Sequence, residues 1–249
     1  ITAWVSGLPD AAPLTEEISA LDEVESVGVQ SLIFSEYEIG DQESDSEGQL
    51  ITYEPAHDPY KFFADDLSGY QAAPTEIAPG EVYVSASMAS MFGVQAGDAI
   101  TFPIARSGGD VTFTVAGFYE DPFMGSSMIG MKGFLICEQD HEEIAGMIEE
   151  SGADSLAREG FMLHISQGSG SALTAAQFNA FLNENTSLTS YVEFTHSREA
   201  ISGFMLTLQN VFTSLLLAFV VILLLASMAV LSHSIGSNNQ KKQSPSKPL

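Results

Sequence analysis

The sequence is poor in cysteine, tryptophan and basic residues: one Cys, one Trp and eight Lys or Arg among 249 residues, against 33 acids. A lone Cys137 excludes an intrachain disulfide, and beside the apolar run Gly133-Phe134-Leu135-Ile136 it reads as a buried, inert thiol. All 33 acids and five of the eight bases precede residue 200, so residues 1–199 carry 28 net negative charges. A surface that acidic repels phosphates, which disfavours nucleic-acid binding and peripheral docking on anionic lipid and favours neutral or cationic partners. Adaptation to salt is the other source of such acidity, although only 16% of residues are charged. A hydrophobic content of 45% supplies a packed core and excludes a disordered chain.

Catalytic signatures are absent as well. The histidines His57, His141, His164, His196 and His233 form no H-x-x-x-H or H-E-x-x-H spacing, and His141-Glu142-Glu143 lacks the second histidine that a helical zinc site needs. No G-x-S-x-G elbow, G-x-x-x-x-G-K-[ST] loop or G-x-G-x-x-G turn occurs, so neither catalytic residues nor a cofactor site is assigned and the chain is not an ATPase. The run 41–48 places Asp41, Glu43, Asp45 and Glu47 at alternate positions before Gly48. These four are weak Ca²⁺ candidates, because the later bidentate Glu of a calcium loop is missing, and a solvated acidic loop is the favoured reading. Asn185-Thr186-Ser187 matches a glycosylation acceptor by pattern alone.

What the sequence does contain is one long apolar run. No Asp, Glu, Lys or Arg occurs from 200 to 240, and residues 211–231 (VFTSLLLAFVVILLLASMAVL) are almost purely apolar. As a helix this stretch covers about 31 Å, the hydrocarbon thickness of a bilayer. Lys241, Lys242 and Lys247 follow it, whereas only Arg198, next to Glu199, shortly precedes it. Basic residues stay on the cytoplasmic side, so the tail 233–249 is expected inside and the acidic part outside. The chain opens at Ile1 without a methionine, a basic n-region or an apolar h-region, so a signal or an earlier membrane helix is expected upstream. Just before the span, Ile201, Phe204, Met205, Leu208, Val211 and Phe212 recur at i, i+3, i+4, i+7 and form an apolar stripe that wants a partner helix.

The outer part reads as α+β. Residues 1–5 predict a strand, 13–21 a helix with Thr15, Glu16 and Glu17 at its start, and 27–37 a strand. An acidic loop follows over 36–48, and the Pro- and aromatic-rich stretch 55–79 is expected to form short helices. Residues 81–84 start a β-rich region: a short helix over 85–92, then strands over 99–104 and 111–119 joined by the hairpin-like linker Ala105-Arg106-Ser107-Gly108-Gly109-Asp110. Strands at 133–138, 161–166 and 191–195 then alternate with helices at 139–150 and 174–182. The expected division is therefore 1–80 with 132–199 as an α/β part flanking a mainly β insertion at 81–131, then a stalk and membrane helix at 200–232. Tyr60, Phe62, Phe63, Tyr70, Phe123, Met124, Met128 and Met131 read as core, with a soft contact surface as the alternative.

The succession Val82-Tyr83-Val84-Ser85, then Met91-Phe92-Gly93-Val94-Gln95-Ala96-Gly97-Asp98-Ala99-Ile100-Thr101-Phe102, then Phe113-Thr114-Val115-Ala116-Gly117-Phe118 resembles the extracytoplasmic core of MacB/FtsX-like ABC-transporter permeases. Gly93 and Gly97 suit tight turns there and Asp98 suits a cap on backbone N–H groups, so these residues are structural. The apolar helix ending Ser232-His233-Ser234-Ile235-Gly236 resembles the second membrane helix of the same family. The polar tail after Gly236 departs from that pattern, as a truncated permease would. The resemblance implies a subunit that performs no bond chemistry, an ABC ATPase partner that binds the ATP, a second permease copy or homologue, and a bilayer around the helix. The rival from a different class is a binding or sensory ectodomain on one membrane anchor; an enzyme ranks third.

Overall fold

The computed structural model describes residues 1–40, 42–43, 47–55, 60–64, 67–120 and 132–242, and the side chains of all of these except 42–43, 196, 198–202, 204–205 and 232–242. It divides into two units, Ile1–His196 and Ser197–Leu249.

The first unit is built on one 13-stranded sheet. Its N-terminal strand β1 (Thr2–Ser6) runs to helix α1 (Ala12–Ser19) and the long strand β2 (Val24–Ser35). Strands β3 (Glu38–Ile39), β4 (Gln42–Glu43), β5 (Gly48–Thr52), β6 (Lys61–Phe63), β7 (Tyr70–Gln71) and β8 (Glu81–Ser85) come next. Helix α2 (Ala86–Phe92) precedes β9 (Ala99–Phe102), β10 (Val111–Glu120) and β11 (Lys132–Ile136). The remainder is α3 (Glu138–Ser151), β12 (Arg158–Gln167), α4 (Ala175–Asn185), β13 (Val192–His196) and, in the second unit, α5 (Arg198–Lys242).

The sheet order β13-β1-β12-β2-β5-β11-β8-β10-β9-β3-β4 reveals two interlocked parts. The α/β expectation at the two chain ends is met by split units: β1-α1-β2 encloses β12, and β12-α4-β13 encloses β1, all antiparallel across neighbours. Helices α1 and α4 cover this half through Leu14, Ile18, Phe178 and Leu182, which pack with Val5, Leu163 and Ile165. By connectivity, residues 36–157 are a single excursion between β2 and β12. Only Glu36 and Tyr37 separate β2 from β3, yet five strands lie between them in the sheet, so this half rolls back on itself. The roll encloses Ile33, Leu50, Val84, Phe102, Phe113 and Phe134, with Met88 of α2 and Ile144 of α3 against them.

Three local expectations are corrected. Among the described residues of 55–79 there are two short strands and no helix, because Tyr60 and Phe62 alternate inward with exposed Lys61. Phe62 meets Tyr53 and Tyr83 edge-on, and β6 pairs with β10. Helix α1 begins at Ala12, three residues before Thr15, since Asp10 accepts from the Ala12 N–H at 2.9 Å and Pro13 suits a first turn. Glu17 instead binds the backbone N–H and hydroxyl of Ser187. Cys137 is half-buried and lies beyond β11, where its sulfur caps α3 by accepting from Asp140 N–H.

Candidate functional site

The turn block behaves as its residue types require. Gly93 ends α2 in the left-handed region (φ 72°) and Gly97 follows at φ 92°. Asp98 accepts from Gln95 N–H at 2.8 Å, and two backbone bonds, Gly97 N–H to Val115 O and Val115 N–H to Asp98 O, stitch the turn to β10. The block is therefore a fixed corner of the roll.

The end of β13 is the richer site. Strand β13 ends at His196 and α5 begins at Arg198, leaving Ser197 as the whole connection. Pairing of β1 with β13 shifts register between Trp4 and Val5, so Glu193 is the extra residue of a bulge. As a result the consecutive residues Glu193 and Phe194 both reach partners on one sheet face. Phe194 stacks on Trp4 with ring centroids 4.4 Å apart and planes 17° apart, and Trp4 Nε1–H donates to Gln49 Oε1 at 2.9 Å in the core. Glu193 accepts from Ser6 Oγ and from Arg158 Nη2 at 3.1 Å. The same guanidinium pairs with Glu47 and lies 4.3 Å from the centre of the Phe34 ring.

Burial pushes the Glu193 carboxyl up, but the Ser6 hydroxyl and Arg158 outweigh it and hold the group below its ordinary value. Its contribution to stability is therefore fully present above the ordinary glutamate value of about 4.3 and is lost as pH falls through the lower folded value. Arg158→Met should destabilise the first unit by about 1 kcal/mol at neutral pH, a figure kept small because the guanidinium is more than one third exposed. The gap between wild type and variant should close as pH falls from about 5 to about 3. Urea midpoints at three pH values check this, and a gap that widens on acidification contradicts the assignment.

Of the calcium candidates, Asp41 and Asp45 lie outside the described residues, as does the side chain of Glu43. Glu47 is engaged by Arg158, which a cation would have to displace. Among the described residues no group of three or more His, Cys, Asp or Glu side chains could hold a metal. His57, Phe123, Met124, Met128 and Met131 fall outside them. His164 lies in β12 within reach of Thr2 and Gln30, and burial lowers its pKa; His141 is half-buried in α3, its pKa also lowered by burial, with no partner for Nε2. Asn185 ends α4 and donates to Phe181 O. Sequence reasoning passed over Arg158, Glu193 and Trp4. An arginine in a chain with so few bases was the available signal.

Among the described residues one helix is long and apolar enough to cross a membrane: 26 residues of α5, Leu206–Leu231, with mean hydropathy 2.9 and no part buried. No protein-family model and no curated protein matches the chain. Among solved structures it is similar to the periplasmic region of MacB from Actinobacillus actinomycetemcomitans, at 11% identity and a TM-score of 0.35, over 74% of this chain and 80% of that one. It is similar too to the extracellular domain of the noncanonic ABC-type transporter YknZ from Gram-positive bacteria, at 12% identity and a TM-score of 0.34, over 74% of this chain and 94% of that one.

Proposed function

We propose that the chain is a permease subunit of an ABC transporter, with residues 1–196 outside the cytoplasm, α5 across the membrane and the lysine-bearing tail inside. It performs no bond chemistry and binds no ATP; a separate ATPase subunit supplies the cycle, and the outer unit follows the membrane helix. The observation that carries this reading is the one-residue connection between β13 and α5. A displacement of α5 has no slack linker in which to dissipate before it reaches a strand held by Trp4, Ser6 and Arg158. Lys241, Lys242 and Lys247 after the span, against Arg198 alone shortly before it, support the orientation.

The apolar stripe before the span supplies the test. In the assembled transporter, Phe204→Asp with Leu208→Asp should lower ATP-driven transport at least about tenfold, a loss of about 1.4 kcal/mol or more in coupling, while ATP hydrolysis persists. Transport and hydrolysis measured together in vesicles decide it, and transport at the wild-type level per ATP would sink the reading.

A further inference from the structure

Strand β2 is 12 residues long, and its two sides are not equally used. Toward β12 it is paired from Val24 to Phe34, whereas toward β5 the pairing runs only from Leu32 to Ser35. The phase of the ladders shows which backbone groups lie beyond that fork. Ile165 exchanges both backbone bonds with Ile1, so its N–H and C=O point to β1 and its pairing with Val27 carries no hydrogen bond. By the same alternation Val27, Val29 and Ser31 turn their N–H and C=O away from β12, into the lane that β5 occupies further along. Ser31 O accepts from the Thr52 hydroxyl at 3.1 Å and Gln30 Nε2 donates to Thr52 O at 2.8 Å, so side chains close the fork. Beyond it, Val27 and Val29 face no second strand among the described residues, and Gly28 and Val29 are exposed, Val29 at 41%.

We propose that this open half-edge receives an extended, basic segment of another protein as an added strand, hydrogen-bonded to Val27 and Val29 in the lane that β5 leaves. Each of these residues offers one donor and one acceptor, and a peptide strand is the ligand that returns both at the same spacing. Exposed edges are ordinarily blunted by lysine or proline. Ser26-Val27-Gly28-Val29-Gln30 has neither, and the bulge at Glu25 lies at its end rather than across it. The neighbouring side chains set what the segment carries. Residues opposite Val27 and Val29 share the face on which those two lie beside Ile165 and Leu163, so every second residue of the segment is apolar. Gly28 presents no side chain on the other face, where small polar residues fit. Asp22, Glu23 and Glu25 lead into the edge, Glu54 leaves the fork, and residues 1–60 contain no Lys or Arg, so basic residues belong at the ends of the segment. The same charge opposes the other simple occupant, this edge of a second copy. The site lies wholly within the first unit.

The test uses the full chain in detergent and the peptide KVTVTVK, capped at both ends. Binding is expected below about 1 mM, with hydrogen exchange at the Val27 and Val29 amides slowed at least about tenfold, while Gly28 and Gln30, already bonded to β12, keep their rates. N-methylation of the central valine, whose N–H faces β2, should weaken binding at least about tenfold, and N-methylation of a threonine, whose N–H faces away, less than about threefold. The acidic peptide EVTVTVE should bind at least about tenfold more weakly than the basic one. Val29→Pro removes an N–H that only the added strand uses and spares the β12 ladder, so the folded variant should lose at least about tenfold in affinity. If that variant does not fold, the methylated peptides decide on the unaltered chain. Equal loss from the two methylations, slowed exchange confined to other amides, equal binding of EVTVTVE, no binding at about 1 mM, or full binding by folded Val29→Pro would overturn the proposal. So would exchange at Val27 and Val29 that slows with protein concentration alone, since a second copy would then hold the edge.

Discussion

Trp4→Ala is expected to destabilise the first unit by about 3–5 kcal/mol. The indole is 1% exposed, stacks on Phe194 and donates to Gln49, so truncation removes buried aromatic volume, a ring pair and a core hydrogen bond together. The stacked pair is also the tie between β1 and the strand that continues into α5, so the loss falls on the path assigned to force. Trp4→Phe keeps a ring against Phe194 and should recover about half of the loss. Because Trp4 is the sole tryptophan, fluorescence disappears with it and unfolding has to be followed by far-UV circular dichroism of the full chain in detergent. A loss below about 1 kcal/mol would mean that the stack is incidental to the fold.

Gly160→Ala should cost about 3 kcal/mol from the opposite cause, excess volume. A Cβ at this position would lie 2.6 Å from the carbonyl oxygen of Val5 and 2.7 Å from Cε2 of Phe34. Phe34 cannot turn aside without leaving its place under the Arg158 guanidinium, and the Val5 oxygen cannot retreat without parting β1 from β12, whose ladder pairs Ser6 with Gly160. Gly170→Ala is the matched control, since a Cβ there meets nothing within 4 Å and the effect should stay within about 0.5 kcal/mol. Urea midpoints of the two variants, measured side by side, make the comparison. Equal midpoints would show that β1 and β12 yield more easily than their hydrogen bonding implies.

The elements that could be read from the sequence are those whose periodicity is local. The helix expected at 139–150 and the hairpin strands expected at 99–104 and 111–119 appear as α3, β9 and β10, because each buries one regular face and ends in turn chemistry. Strand β5 escaped notice. It is buried at every position, but Gln49 and Thr52 interrupt its apolar run, and their burial is tolerated only through partners elsewhere: Trp4 Nε1 for Gln49 and Ser31 O for the Thr52 hydroxyl. Strands β6 and β7 were hidden by shortness and by the prolines around them. The site at the end of β13 was illegible for a related reason. Ser6, Glu47, Arg158 and Glu193 are polar residues at unrelated positions, and only the sheet order and the bulge at Glu193 bring them together. Sequence patterns report which face a residue buries; they carry no record of which distant carboxylate an arginine will find.

The place of β1 in the sheet determines when the first unit can fold. Its two neighbours, β12 and β13, come from the far end of the unit: Ile1 bonds to Ile165 across 164 positions, and Ser6 meets Glu193 across 187. The first strand of this unit is thus enclosed only when its last has arrived, so chain entropy is lost before the long-range pairings repay it, which makes folding slow. Until then β1 presents two unpaired edges, the condition under which strands associate with the wrong chain. In the proposed orientation, export of residues 1–196 would have to be finished before this unit closes, and anything that shields β1 in the interval sets its yield.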